Sequence, residues 1–306
     1  MTAPGLTKDE IVGIFPPLYT PLTPDGELDI EAFRTEVDYQ LQFPITGLVV
    51  GGSTGEGHAL EREELIELTR VAVEHVAGKV PIMTGIISTS TREAVVRARG
   101  AKAVGARGVM VTPPIYQSAN FAGMIDFYDR IHREGGLPVT IYNVLVHNPV
   151  TPAVTQRLAE IGAIVATKES VGGSLGTLSH LLETVADQIS VTWAQDHLLF
   201  PGLAMGATGS ISGTGAMFPA ESIAMLEAIK RNDFAEAQRI HFALAPLTRA
   251  VMNGQNWPAW VKAVAELQGR KVGPARLPFV PLTSAEIELL ERGLEFAKSA
   301  LVPSAV

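Results

Sequence analysis

The chain has 306 residues, of which 46 % are apolar and 18 % charged, enough to bury one large α/β core or two ordinary ones. Its net charge of −8 and pI of about 5.4 disfavour nucleic acid as a partner, because an acidic surface repels phosphate backbones. The chain has no cysteine, no signal-peptide pattern and no apolar run of membrane-spanning length, so we expect a cytoplasmic protein without disulfides, cysteine-ligated metals or membrane contact.

Short β-branched runs alternate with longer amphipathic stretches along most of the chain. Strands are predicted at residues 14–19, 47–50, 80–84, 108–112, 138–142, 163–168, 189–193 and 208–212. Helices are predicted at residues 30–43, 61–77, 91–104, 121–133, 152–160, 174–185, 197–205 and 220–230, the first of them with Asp29 as its N-cap.

Eight consecutive strand–helix units predict an α/β fold, a closed (β/α)8 TIM barrel. A doubly wound sheet with a helical domain is the alternative, and the lack of a GxGxxG fingerprint disfavours it. The catalytic barrel is assigned to residues 1–230. Residues 231–306 are predicted to form a small all-helical C-terminal segment, whose last helix is capped by Ser284 and carries Glu286 in its first turn.

Lys168 is the lysine whose position differs from the rest. It ends the apolar run 163–167, and the carboxyl end of a barrel strand is where catalytic groups project. Burial makes a lysine amine a usable nucleophile. The alternative is a structural pair with Glu169, although adjacent strand residues point to opposite faces. The other seven lysines, Lys262 among them, are expected in loops or on polar helix faces.

A glycine-rich loop, residues 51–57, follows the second strand. Glycines allow a tight turn in which successive N–H groups point into one cavity and bind an anion. Ser53 and Thr54 add hydroxyl groups. An ordinary βα turn is the alternative, and a phosphate-binding P-loop is excluded because no GK[ST] follows.

Tyr142 ends the fifth strand, where its phenol could relay a proton. Tyr116 follows the fourth strand, and His147 lies in the loop after Tyr142. For each of the three, ordinary packing is the alternative. None of the seven histidines has a metal-ligand spacing, so no metal site is expected.

Together these features resemble the dihydrodipicolinate synthase and N-acetylneuraminate lyase family of class I, pyruvate-type aldolases. The resemblance covers nearly the whole chain and keeps the motif order. The matching segments are Thr20-Pro21 with Asp25-Gly26, Gly52-Ser53-Thr54-Gly55-Glu56, Pro113-Pro114-Ile115-Tyr116, Tyr142-Asn143, Thr167-Lys168-Glu169-Ser170 and Gly206-Ala207-Thr208-Gly209-Ser210-Ile211-Ser212.

The resemblance implies a role for each matching residue. Lys168 would form an imine with the 2-oxo group of pyruvate or a related acid, without metal or organic cofactor. Ser53 and Thr54, with Gly52 and Ile211 beside them, would hold the substrate carboxylate. Tyr142 would shuttle protons through Ser53 to Tyr116. In the family that last tyrosine comes from a neighbouring subunit, which implies a homo-oligomer, usually a dimer of dimers.

Two departures leave the second substrate open. Leu145 replaces the proline of the family's YNxP motif, and His147 stands where the synthases carry an arginine for their aldehyde's carboxylate. Imidazole lacks the bidentate fork of arginine, so we expect weak activity as dihydrodipicolinate synthase. The leading hypothesis is a lyase or dehydratase acting on pyruvate or a 2-keto-3-deoxy acid. The alternatives are the synthase itself and, in another class, a non-catalytic 2-oxo acid binding protein.

Overall fold

The structure, a computed structural model, describes residues 4–301 and contains one eight-stranded parallel sheet within them. The strands are β1 (Gly13–Ile14), β2 (Leu48–Val50), β3 (Ile82–Ile86), β4 (Gly108–Val111), β5 (Val139–Asn143), β6 (Ala166–Glu169), β7 (Ser190–Trp193) and β8 (Gly209–Ser210).

The sheet closes on itself. Its order runs β1-β8-β7-β6-β5-β4-β3-β2, and β1 continues into a parallel bridge between Pro17 and Val49 of β2. The amide of Leu18 donates to the carbonyl of Val49 (2.8 Å), and the amide of Val49 donates to the carbonyl of Pro16 (3.1 Å). The predicted (β/α)8 barrel is therefore confirmed, and the doubly wound alternative is wrong.

Helices follow the strands around the barrel. They are α1 (Ile30–Gln40), α2 (Arg62–Val76), α3 (Thr91–Ala103), α4 (Phe121–Gly135), α5 (Pro152–Glu160), α6 (Leu175–Val185), α7 (Leu199–Ala204), α8 (Gly213–Met217) and α9 (Pro219–Lys230). Asp29 caps α1 as predicted, its carboxylate accepting from the amide of Ala32 at 2.9 Å. In the described range no helix is long and apolar enough to cross a membrane, and no cluster of side chains could hold a metal ion.

Four elements differ from the sequence prediction. The last strand, predicted at residues 208–212, covers only Gly209–Ser210. The regular first strand covers only Gly13–Ile14 and is followed by the isolated bridge at Pro17, because Pro16 and Pro17 have no N–H to donate to a neighbouring strand. Helix α8 was not predicted, since its sequence GTGAM contains two glycines. The last helix is capped by Thr283 rather than by Ser284: the hydroxyl of Thr283 accepts from the amide of Glu286 (3.4 Å), whose carboxylate accepts from the amide of Thr283 (2.7 Å).

After the barrel come α10 (Phe234–Asn253), α11 (Trp257–Leu267) and α12 (Ser284–Leu301). Helix α10 packs lengthwise on α9 and α12, and its buried face shares one apolar core with the outer surface of the barrel, as Leu244, Leu247 and Met225 illustrate. The loop between α10 and α11, together with the segment after α11, reaches over the carboxyl ends of the strands. The division of the chain at residue 230 stays a prediction.

Candidate active site

A cavity of about 670 Å³ opens at the carboxyl ends of the barrel strands. Lys168 from β6 and Tyr142 from β5 lie at its base, and Ser53 and Thr54 from the glycine-rich loop line one side. This is the end of the barrel at which enzymes of this architecture carry their active sites. The structure thus brings together four of the residues that the sequence singled out.

Lys168 is buried, with 5 % of its surface exposed. Its Nζ lies 3.7 Å from the centre of the Tyr142 ring, because β5 and β6 pair in a register that puts the two residues side by side. The carboxylate of Glu169 points elsewhere and accepts from the Asn143 side chain (2.8 Å) and the Val171 amide (2.9 Å). The alternative of a structural Lys168–Glu169 pair is therefore wrong.

A hydrogen bond joins Tyr142 to the glycine-rich loop. The two hydroxyls of Tyr142 and Ser53 are 2.9 Å apart, and the phenol is almost wholly buried. Gly51 (φ +72°) and Glu56 (φ +54°) adopt left-handed backbone conformations that turn the loop inward. The amides of Ser53 and Thr54 donate no hydrogen bond to any acceptor in the described part of the chain. Two N–H donors therefore remain available beside the lysine.

Gly52 and Ile211 support the site from behind. The position of a Cβ on Gly52 would lie 3.4 Å from the Met110 methyl group, so the loop backbone packs directly on the barrel interior. Ile211 is fully buried in the same small apolar cluster as Tyr142. Neither residue lines the cavity in the structure of the single chain.

Tyr116 and His147 lie outside the cavity of their own chain. The side chain of Tyr116 is 79 % exposed. The His147 ring donates through Nε2 to the carbonyl of Ile115 (3.0 Å), and the hydroxyl of Ser118 donates to the His147 carbonyl (2.9 Å). These bonds join the two loops after β4 and β5, and the structure does not place the His147 ring where a substrate in this cavity would meet it.

Asp196 is a site residue that sequence reasoning missed. It follows β7, lines the cavity and is 5 % exposed. Burial raises the pKa of its carboxyl group, although hydrogen bonds from the Thr214 hydroxyl and amide and the charge of Lys168 act in the opposite direction. The Thr214 hydroxyl and amide both donate to Oδ1 of Asp196. A strand-end carboxylate in a barrel is a sequence signal that could have identified it.

The C-terminal segment forms the outer wall of the cavity, which the sequence did not indicate. Met252 and Gln255 come from the end of α10 and the loop after it, and Trp257 opens α11. Phe279 follows α11 and packs edge-to-face on the ring of His58 at 5.2 Å between centroids. Helical periodicity gives no information on which interhelical loop reaches the barrel end, so only the folded chain could show this wall.

A buried ion pair ties this segment to the glycine-rich loop. Lys262 on α11 and Glu56 approach to 2.6 Å, and both side chains are buried. Lys262 also donates to the carbonyl of Pro274 (2.6 Å), and the amide of Arg276 donates to Glu56 (2.7 Å). Burial lowers the pKa of Lys262. The expectation of a solvated Lys262 is wrong, because a partner carboxylate from a distant loop allows the lysine to be buried.

The side chain of Arg276 joins the C-terminal segment to the barrel at a second place, outside the glycine-rich loop. Its guanidinium donates two parallel hydrogen bonds to Glu64 on α2, at 2.6 and 2.7 Å, and a further one to the carbonyl of Gly26 (2.7 Å). These hydrogen bonds lower the pKa of Glu64. A bidentate pair of this kind has little freedom, so the outer wall is held firmly against the barrel.

Comparison with known proteins agrees with this geometry. The model of the dihydrodipicolinate synthetase family matches residues 10–297. The 4-hydroxy-tetrahydrodipicolinate synthase of Methanoculleus marisnigri is 36 % identical over 287 residues, covering 92 % of this chain and 98 % of that protein. The corresponding protein of Methanothrix thermoacetophila is 34 % identical over 274 residues, covering 89 % of this chain and 92 % of its own length.

Solved structures give the same result. The 4-hydroxy-tetrahydrodipicolinate synthase of Methylacidiphilum fumariolicum SolV superposes with a TM-score of 0.90 at 31 % identity, covering 95 % of this chain and 97 % of that one. A second structure is that of YagE, a prophage protein of the dihydrodipicolinic acid synthase family from E. coli K12, in complex with pyruvate. It superposes with a TM-score of 0.89 at 29 % identity, covering 94 % of this chain and 99 % of that one. The chain therefore belongs to the dihydrodipicolinate synthetase family, and it is a lyase of the class I aldolase type.

Proposed function

We propose that Lys168 forms a covalent imine with pyruvate, the 2-oxo acid that this enzyme joins to an aldehyde or releases from a 2-keto-3-deoxy acid. The observation that carries the proposal is the arrangement of three groups: a buried lysine with no ion-pair partner in the described chain, a phenol against it and a serine hydroxyl 2.9 Å from that phenol. An amine, a proton carrier and a relay are what imine chemistry requires.

In the proposed reaction, the Lys168 amine adds to C2 of the 2-oxo acid, and water leaves as the imine forms. Tyr142 removes a proton from the adjacent carbon, and the electron pair moves to the imine nitrogen to give an enamine. The enamine carbon attacks the aldehyde carbon, and Tyr142 returns its proton to the aldehyde oxygen as the nitrogen again becomes an imine. Water then hydrolyses the imine and frees Lys168. Because the imine is the electron sink, we propose that no metal or organic cofactor takes part.

We assign the substrate carboxylate to the glycine-rich loop. The amides of Ser53 and Thr54, which donate to no acceptor in the described chain, supply two hydrogen-bond donors, and both residues line the cavity. Hydrogen bonds from preorganised amides to a carboxylate are strong because one partner is charged. The acid would then lie between this loop and Lys168, with its 2-oxo carbon toward the amine.

The test of the imine is reductive trapping. Borohydride added with pyruvate should leave one adduct per chain, and mass spectrometry should map it to Lys168. Lys262, the other buried lysine, should stay unmodified and is an internal control. Lys168→Met should abolish the adduct. An adduct on any other residue, or none with any 2-oxo acid tried, would overturn the proposal.

A second candidate activity is that of the synthase, condensation of pyruvate with aspartate semialdehyde, which the names of the relatives favour. The sequence predicts weak activity of this kind because His147 stands where those enzymes carry an arginine. A coupled-reductase assay with aspartate semialdehyde separates the two candidates. A kcat/KM near 10⁵ M⁻¹s⁻¹, about the value of a dedicated enzyme, would identify the synthase reaction as the principal one.

We also propose that the enzyme is a cytoplasmic homo-oligomer, a dimer of dimers, in which Tyr116 completes the proton relay of a neighbouring subunit. A tyrosine that is 79 % exposed in the single chain, on a loop held by bonds to the next loop, supports this role. Mixing inactive Tyr116→Phe with inactive Lys168→Ala protomers should then restore part of the activity, because some mixed sites hold both native groups. An active monomer in light scattering at assay concentration would contradict the arrangement.

A further inference from the structure

We infer that the aldehyde partner of pyruvate is uncharged and carries an apolar, preferably aromatic, body. The inference rests on the proposed imine at Lys168 and concerns the part of the cavity beyond it. The volume of about 670 Å³ lies in the range of pockets that enclose whole drug-sized ligands, so pyruvate fills only the portion next to the lysine. What lines the remainder decides which aldehyde binds.

The outer wall is apolar and partly aromatic. Trp257, Phe279 and Met252 line it on the side of the C-terminal segment, and Val144 and Val146 line it opposite, after β5. Trp257 stands directly on Gly213: a Cβ there would lie 2.8 Å from the indole ring. The ring is therefore held at a defined height above the strand ends. Flat aromatic groups bind well against such rings, because stacking adds to the burial of apolar surface.

The charges in the cavity disfavour an anionic partner. Among the described lining residues, the formally charged groups are Lys168, which the imine consumes, and Asp196. Partial burial lowers the pKa of His58, so its imidazole is neutral near pH 7. Arg276, in the C-terminal segment that also carries Phe279, already forms an ion pair with Glu64. An aldehyde with its own carboxylate would meet the Asp196 carboxylate and, among the described lining residues, no lysine or arginine other than Lys168; the remaining basic groups there are the imidazoles of His58 and His197.

A polyhydroxylated aldehyde is less well matched as well. Two polar groups at the strand ends already have protein partners: the amide of Gln195 donates to the carbonyl of Ser170, and Asp196 accepts from Thr214. A substrate hydroxyl that is buried against apolar side chains loses its hydrogen bonds to water. This loss costs binding free energy, whereas burial of an apolar group does not. Ser170, His197 and Gln255 also line the cavity, but the side chains of its outer wall are mainly apolar, so the cavity favours an aldehyde with an apolar body over a polyhydroxylated one.

Matched four-carbon aldehydes test the inference in the intact enzyme. With pyruvate saturating, the kcat/KM for aldol addition is measured for butanal, erythrose and succinic semialdehyde, which differ in hydroxyl groups and charge, and for benzaldehyde as the aromatic probe. We expect the kcat/KM for butanal to exceed that for succinic semialdehyde by roughly ten- to hundredfold, because burying a charge without a partner usually costs a factor of this size. Benzaldehyde should be at least as good as butanal.

A substitution at the wall tests the electrostatic part separately. Gln255 is exposed and lines the cavity mouth, so Gln255→Arg adds a cation there with little strain. It should raise the kcat/KM for succinic semialdehyde relative to butanal by roughly tenfold. Gln255→Met, of similar length and neutral, should leave that ratio near the parent value. Equal shifts in both variants would contradict the electrostatic argument.

The outcomes separate this inference from the proposed function. If borohydride traps pyruvate on Lys168 but succinic semialdehyde or erythrose reacts faster than butanal and benzaldehyde, the inference is wrong and the imine stands. The same conclusion follows if trapping succeeds and none of the four aldehydes reacts. If pyruvate is not trapped on Lys168, the proposed function fails and the inference fails with it.

Discussion

Tyr142→Phe should lower kcat by roughly 10²–10⁴-fold and leave the fold intact. The substitution keeps the ring that packs against Lys168 and removes only the hydroxyl that lies 2.9 Å from Ser53. General acid–base groups typically contribute a factor of this size, and no other phenol lines the cavity of the described chain. Steady-state kinetics of pyruvate release or consumption measure the effect, with circular dichroism to verify folding.

A matched control is Tyr128→Phe. Tyr128 is also buried, and its hydroxyl donates to the Val111 carbonyl (3.2 Å) behind the barrel wall, outside the cavity. Removal of this hydroxyl should lower the free energy of unfolding by about 1 kcal/mol and should change kcat little. A Tyr142→Phe enzyme within a factor of about three of the parent would remove Tyr142 from the mechanism, since such a factor corresponds to less than about 1 kcal/mol of barrier.

Lys262→Met should lower the free energy of unfolding by about 3–5 kcal/mol, because it leaves the Glu56 carboxylate buried without its cation. The double variant Glu56→Gln/Lys262→Met should recover part of that loss, since neither charge remains. Urea or thermal unfolding at constant protein concentration measures both. The single variant should also raise KM for pyruvate, because Glu56 belongs to the loop that presents the Ser53 and Thr54 amides.

Lys230→Met is the control for this experiment. Lys230 pairs with Glu227 on the surface of α9, where both side chains are about half exposed. Exposed pairs of this kind contribute about 0–1 kcal/mol. The buried pair does not hold the loop if Lys262→Met lowers the free energy of unfolding as little as Lys230→Met does. The same conclusion follows if Glu56→Gln/Lys262→Met is less stable than Lys262→Met.

Most of the barrel was predictable because strand and helix periods alternate so regularly. The structure reproduces the predicted bounds of α5, Pro152–Glu160, where a proline at the start and a clear apolar face leave little ambiguity. Errors fall at the first and last strands, which pair over two residues each, and at the glycine-containing α8. Such short elements exist because their neighbours hold them, and no local pattern encodes that.

Lys168, Tyr142 and Ser53 were predictable as site residues because each lies at or just after a strand's carboxyl end, and barrel topology brings those ends together. The same rule could have found Asp196. It could not find Trp257 or Phe279, which reach the cavity from beyond the last strand. Nor could periodicity show that Lys262 is buried, since that depends on a carboxylate supplied by another part of the fold.

The two halves of the cavity come from different stretches of the chain, and this affects how the enzyme can evolve. The groups assigned to pyruvate lie on barrel strands and their loops, whereas much of the wall facing the aldehyde lies after residue 250. Mutations in that last stretch can therefore diversify the accepted aldehyde while the inherited carbon–carbon chemistry is preserved. Exchange of the stretch after residue 250 between paralogues would therefore be a route to new aldehyde specificities, provided that the exchanged stretch retains Lys262 and Arg276.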